Sequence, residues 1–170
     1  MSNSRFIFSF IVLLAIQLVL TKYCQIGPFI YISLLPAMIL CMPTSRPVWY
    51  MLAVAFISGL LVDGLADGPL GLNAAALLFA AVLQRPVIRI VIDEELVERH
   101  YNFSFHSNGY VKILLALAIV AAVYLTAYVI LDSAGTRSFW FNALKVLISM
   151  PLCILFGIPV ISTLSPYQRR

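Results

Sequence analysis

Six long apolar runs, divided by short polar breaks, leave this chain few folds to choose from. A helix of about 20 apolar residues, within a range of about 17 to 25, matches the hydrocarbon thickness of a bilayer. The runs fall at residues 6–21, 23–42, 48–62, 70–92, 111–131 and 139–164. In lipid every backbone polar group needs a partner inside the protein, so each run reads as a helix. Composition agrees. With 62% hydrophobic and 11% charged residues, and a mean hydropathy of +1.01, the chain lacks the polar surface of a soluble domain. The expected fold is all-α: one polytopic membrane domain, residues 1–170, with six transmembrane helices.

The breaks support these limits. Lys22 closes the first run, where its ammonium can snorkel to the interface. The second run holds Pro28 and Pro36, which predict a bend or a late start. Trp49 and Tyr50 open the third run as an interfacial aromatic pair. Pro151, Gly157 and Pro159 interrupt the sixth. The opening residues imitate a signal peptide, but no small-x-small cleavage site follows, so they read as a retained first helix.

One turn stands out. Between the third and fourth runs lies Ser58-Gly-Leu-Leu-Val-Asp-Gly-Leu-Ala-Asp-Gly-Pro-Leu-Gly-Leu-Asn73. Gly64, Gly68, Pro69 and Gly71 punctuate a tight turn. Asp63 and Asp67 are the first acids in the chain, and an acid at the edge of a span needs water or a partner. Ala55, Gly59 and Asp63 recur every fourth residue and share one helical face. Such a small-residue face admits close backbone approach, either by a partner's membrane helix or by the fourth helix of the same chain.

Charge sets an orientation. Arg5, Arg46, Arg85, Arg89, Arg99, Lys112, Arg169 and Arg170 fall on one side of a six-span chain, and Lys22 and Arg137 on the other. That asymmetry places both termini and the polar loop 93–110 in the cytoplasm. The basic residues sit singly at segment ends, which argues against nucleic acid despite the net charge of +4. Lys145 lies about two turns inside the sixth run. An intramembrane cation predicts an anionic partner, with Asp63 or Asp132 available on the same side.

Catalytic motifs are missing from the sequence. There is no Walker loop, dinucleotide fingerprint, His-Glu-x-x-His or nucleophile elbow. His100 and His106 match no zinc spacing, and Asp63 with Asp67 offers too few oxygens for a firm divalent-cation site. Cys24, Cys41 and Cys153 fall at different membrane depths and make no disulfide framework. No cofactor is expected.

Six spans in 170 residues, with Gly59-Leu-Leu-Val-Asp63 followed by Gly68-Pro-Leu-Gly-Leu-Asn73, resemble the MreD family of rod shape-determining membrane proteins. Asp67, between the two halves, departs from the family pattern. The resemblance implies a fold related to the substrate-binding subunits of vitamin transporters. It implies a non-enzymatic scaffold in the bacterial inner membrane, in the machinery that builds side-wall peptidoglycan. The implied partners are an MreC-like protein, the MreB filament system, RodA and a class B penicillin-binding protein. Ala55, Gly59, Asp63, Asp67, Pro69, Gly71 and Asn73 then form a docking or helix-packing surface. A membrane carrier for a small molecule is the rival, with Asp63, Asn73 and Lys145 lining a polar cavity.

Overall fold

The computed structural model describes residues 3–23, 30–44, 46–66, 69–92, 109–133 and 138–164. Asp67, Cys24, both histidines and loop residues 93–108 lie outside them. The described residues form six helices: α1 Asn3–Tyr23, α2 Leu35–Leu40, α3 Val48–Leu65, α4 Leu72–Ile92, α5 Tyr110–Ser133 and α6 Phe139–Leu164. Five of them, all but α2, are long and apolar enough to cross a membrane. The architecture is that of an α-helical, multi-pass membrane protein.

From α3 onward, consecutive long helices are packing neighbours. α3 packs on α4, α4 on α5 and α5 on α6, while α1 lies against α3 and α6. Leu77, Ala80, Ile113, Leu117, Tyr124, Leu125 and Ile161 fill the interior. Phe8, Ile11, Val19, Phe79, Ile90, Leu147 and Leu155 face outward, as helices with apolar surroundings require.

The second run departs from expectation. In place of a helix over 23–42, residues 30–34 are non-helical and α2 has six residues. Pro36 sits in its first turn, where its missing N–H costs nothing. The segment nevertheless follows about half the length of α4 through the bundle interior. Tyr31 bonds Asn73 near the start of α4, and the carbonyls of Ile39, Leu40 and Met42 bond Gln84. Positions 73 and 84 on α4 are about 16 Å apart at 1.5 Å per residue. Residues 33–42 are all buried. In the described residues this run is irregular chain over 30–34 followed by a short helix, and α2 touches all five of the other helices.

Enclosure explains why the helix can break. Irregular backbone is tolerated at membrane depth only when protein satisfies its polar groups. Here side chains do so one by one. Tyr31 N donates to Ser149 Oγ at 3.0 Å, and Leu34 N to Gln17 Oε1 at 2.6 Å. Ser33 N donates to Cys153 Sγ at 3.4 Å, and the same thiol donates to Tyr31 O at 3.7 Å. Leu35 N donates to Ser33 Oγ at 3.3 Å. At the far end Gln84 Nε2 lies 2.9–3.1 Å from the carbonyls of Ile39, Leu40 and Met42, and Ile39 O also accepts from Met42 N at 3.0 Å.

Candidate functional site

The conspicuous turn builds a clasp between α3 and α4. Asp63, in the last turn of α3, is 2% exposed. Its Oδ2 accepts from Gly71 N at 3.0 Å, from Asn73 N at 3.0 Å and from Ala74 N at 3.3 Å. Its Oδ1 accepts from Asn73 N at 3.1 Å and from Asn73 Nδ2 at 2.8 Å. A carboxylate thus meets the open N–H groups at the start of α4, where the helix dipole also favours negative charge. Gly71, at φ +92°, bends the chain so that these N–H groups converge.

The geometry decides which helix the small-residue face serves. Ala55 is fully buried, and a Cβ on Gly59 would stand 2.4 Å from Ala74 Cα and 2.6 Å from Ala74 N. No side chain fits there. Ala55, Gly59 and Asp63 pack inside the protein against α4, so this face is closed to a partner. Pro69 is exposed on the turn.

The clasp is the end point of a longer polar chain. Because a carboxylate only accepts, Asn73 turns its Nδ2 to Asp63 and its Oδ1 the other way. That Oδ1 accepts from Tyr31 OH at 2.7 Å and from Tyr124 OH. Ser33 Oγ donates to Tyr124 OH at 3.2 Å and accepts from Leu35 N. Donors therefore point in one direction, from the broken backbone through Ser33, Tyr124 and Asn73 to the Asp63 carboxylate. Aligned bonds of this kind reinforce one another where the dielectric is low.

Aromatic stacking extends the cluster to the remaining charges. The rings of Tyr31 and Tyr128 stack with centroids 4.0 Å apart and planes at 16°. Lys145 Nζ lies 5.6 Å from the Tyr128 centroid, over the ring. The same ammonium is 2.9 Å from Asp132 Oδ2. The expected pair of Lys145 with Asp63 is thereby corrected. Asp63 spends its oxygens on α4, and Asp132 lies one α5 turn beyond Tyr128, opposite the start of α6. Tyr124, Tyr128 and Asp132 recur every fourth residue and form one stripe on α5.

Of the residues singled out in the sequence, Ala55, Gly59, Asp63, Gly71 and Asn73 come together in the clasp. Lys145 joins through the tyrosines. Tyr31, Ser33, Tyr124, Tyr128, Gln17, Ser149 and Gln84 were not singled out. Their signal was polarity within apolar runs, strongest for Gln17 and Gln84, both fully buried.

The arrangement anchors helices rather than presenting a reactive group. The carboxylate is committed to four N–H groups, and the tyrosine hydroxyls are committed to Asn73. Among the described residues no three His, Cys, Asp or Glu side chains gather to hold a metal. An outward groove of about 480 Å³ between Phe79 of α4 and residues 122–131 of α5 is lined almost wholly by apolar side chains. Its one hydroxyl, on Thr126, is spent on Ala122 O at 2.7 Å.

No family model matches the chain, and no match was found among the curated proteins or the solved structures.

Proposed function

We propose that the chain is a non-enzymatic membrane scaffold of the MreD type, serving cell shape and side-wall peptidoglycan synthesis. One observation carries this reading. The two halves of the Gly59–Asp63 and Gly68–Asn73 motif meet through Asp63 and close on themselves. The described polar atoms of the motif are spent on holding α3 to α4. With Ala55 and Gly59 turned inward, an MreC-like partner helix meets the outward apolar faces instead. The basic asymmetry supports a bacterial inner-membrane location with both termini cytoplasmic. The MreB filaments, RodA and a class B penicillin-binding protein are the further partners in this reading.

A broken segment in the bundle centre favours a second reading. Carriers place such segments at their substrate sites. Here Tyr31, Ser33, Asn73 and Tyr124 surround the break. Affinity purification of the full chain in mild detergent separates the two. Co-eluting elongation proteins support the scaffold, and a co-eluting ATPase pair supports the carrier. Recovery of the chain alone counts against both.

A further inference from the structure

The bundle end remote from Asp63 carries three arginines, Arg46 in the loop before α3 and Arg85 and Arg89 on α4. α4 carries Arg85 and Arg89 four residues apart, so both lie on one face near its C-terminus. Arg85 Nη2 donates to Thr44 O at 3.3 Å and to Arg46 O, which fixes the loop before α3 beside α4. Arg46 is exposed, and its guanidinium sits 5.8 Å from the Tyr50 centroid. Trp49 and Tyr50 meet edge to face with centroids 6.3 Å apart. Arg89 is exposed. The acids among the described residues, Asp63 and Asp132, both belong to the opposite end, so no described carboxylate neutralises this cluster.

Three cations that no described acid pairs, framed by aromatic rings at the end of apolar helices, meet one particular chemistry. The aromatic pair marks headgroup level. Guanidinium forks match phosphate oxygens in geometry and charge. The C-terminal dipole of α4 favours the cation of Arg89, which lies in its last turn. We propose that Arg46, Arg85 and Arg89 form a binding site for the phosphate headgroup of an anionic phospholipid. Arg85 is the positioning residue, since it holds the loop through its carbonyls. Arg46 and Arg89 are the exposed contacts.

The test uses the full chain in nanodiscs of phosphatidylcholine with a minority of phosphatidylglycerol, followed by native mass spectrometry of retained lipid. The wild-type chain should keep phosphatidylglycerol in excess of its share. Arg46→Gln and Arg89→Gln should each weaken that retention about fivefold, the expected contribution of one basic residue near an anionic surface. Phosphatidylcholine retention and thermal stability in pure phosphatidylcholine should not change, which shows that both variants fold. Equal retention of the two lipids by the wild-type chain overturns the proposal, as would happen if Asp93 to Glu98 neutralised the cluster. Unchanged preference in the double variant overturns it too. Displacement of the lipid by inorganic phosphate would reassign the site to free anions.

Discussion

Asp63 Oδ1 and Asn73 Nδ2 stand 2.8 Å apart, and this bond joins the end of one membrane helix to the start of the next. The same carboxylate takes three backbone N–H groups of the α4 start. Replacing Asp63 with Asn keeps the size but puts an amide N–H₂ against N–H donors. Bonds to a charged group are worth about 1.5–3 kcal/mol each. Asp63→Asn should therefore cost about 3 kcal/mol of stability, and Asp63→Ala more. Thermal unfolding in detergent measures both. A change below the noise would show that the clasp contributes nothing.

Gly59 and Ala74 test the packing beside the clasp. In Gly59→Ala the new methyl meets backbone at 2.4 Å, and backbone cannot step aside as a side chain does. α3 and α4 must part, at a cost of about 3 kcal/mol for overpacking in a tight core. The yield of folded protein should fall, and partner recovery should fall only in proportion. A normal yield with lost recovery would return this face to the outside.

Lys145 and Asp132 form a measurable pair. Intramembrane polar contacts average about 0.6 kcal/mol and reach about 1.7 kcal/mol. The geometry here is good, at 2.9 Å, with the ammonium also over Tyr128. A double-mutant cycle of Lys145→Met with Asp132→Asn should give a coupling of about 1 kcal/mol. The same cycle with Asp63→Asn should be additive to within about 0.5 kcal/mol. The reverse order would restore Asp63 as the partner.

Much of this was legible in the residues, and the reasons for the rest are physical. Hydropathy places α1, α3, α4, α5 and α6 within three residues at each end, because every crossing of lipid demands a long apolar run. The Ala55–Gly59–Asp63 spacing marks a close helix contact. It leaves the partner open, since α4 and a foreign helix offer the same small residues. The second run misleads because a segment buried in protein and a helix facing lipid are equally apolar. Its difference was written elsewhere, in Gln17, Gln84 and Ser149 of other helices. Lys145 had two acids at matching depth, and only the fold shows that α5 delivers Asp132 to it.

Gln84 closes α2 and allows a chemical comparison at constant size. Its Nε2 faces three carbonyls, of Ile39, Leu40 and Met42. Gln84→Met keeps the shape and takes the donor away from Leu40 O and Met42 O, each worth about 1 kcal/mol or more when buried, while Ile39 O keeps Met42 N. Gln84→Glu sets a carboxyl against three carbonyl oxygens. It must stay protonated or repel them, so it should be the less stable variant. Equal stability of the two would mean that solvent reaches this end of α2.

The acceptors around residues 31–34 give the sharpest test, because chemistry predicts an order. Gln17 offers an amide oxygen at 2.6 Å to Leu34 N, Ser149 a hydroxyl at 3.0 Å to Tyr31 N, and Cys153 a thiol at 3.4 Å to Ser33 N. Acceptor strength falls in that order and the distances lengthen with it. Gln17→Met, Ser149→Ala and Cys153→Ala each leave one buried N–H unpaired, at about 1–3 kcal/mol. The losses should rank Gln17 first, Ser149 second and Cys153 last. Hydrogen exchange should report them locally, with faster exchange at Leu34, Tyr31 and Ser33 respectively and little change in the middle of α5. Uniform loosening of the whole bundle by all three variants would contradict one-to-one satisfaction of the broken segment. It would show instead that the segment is held by apolar packing alone.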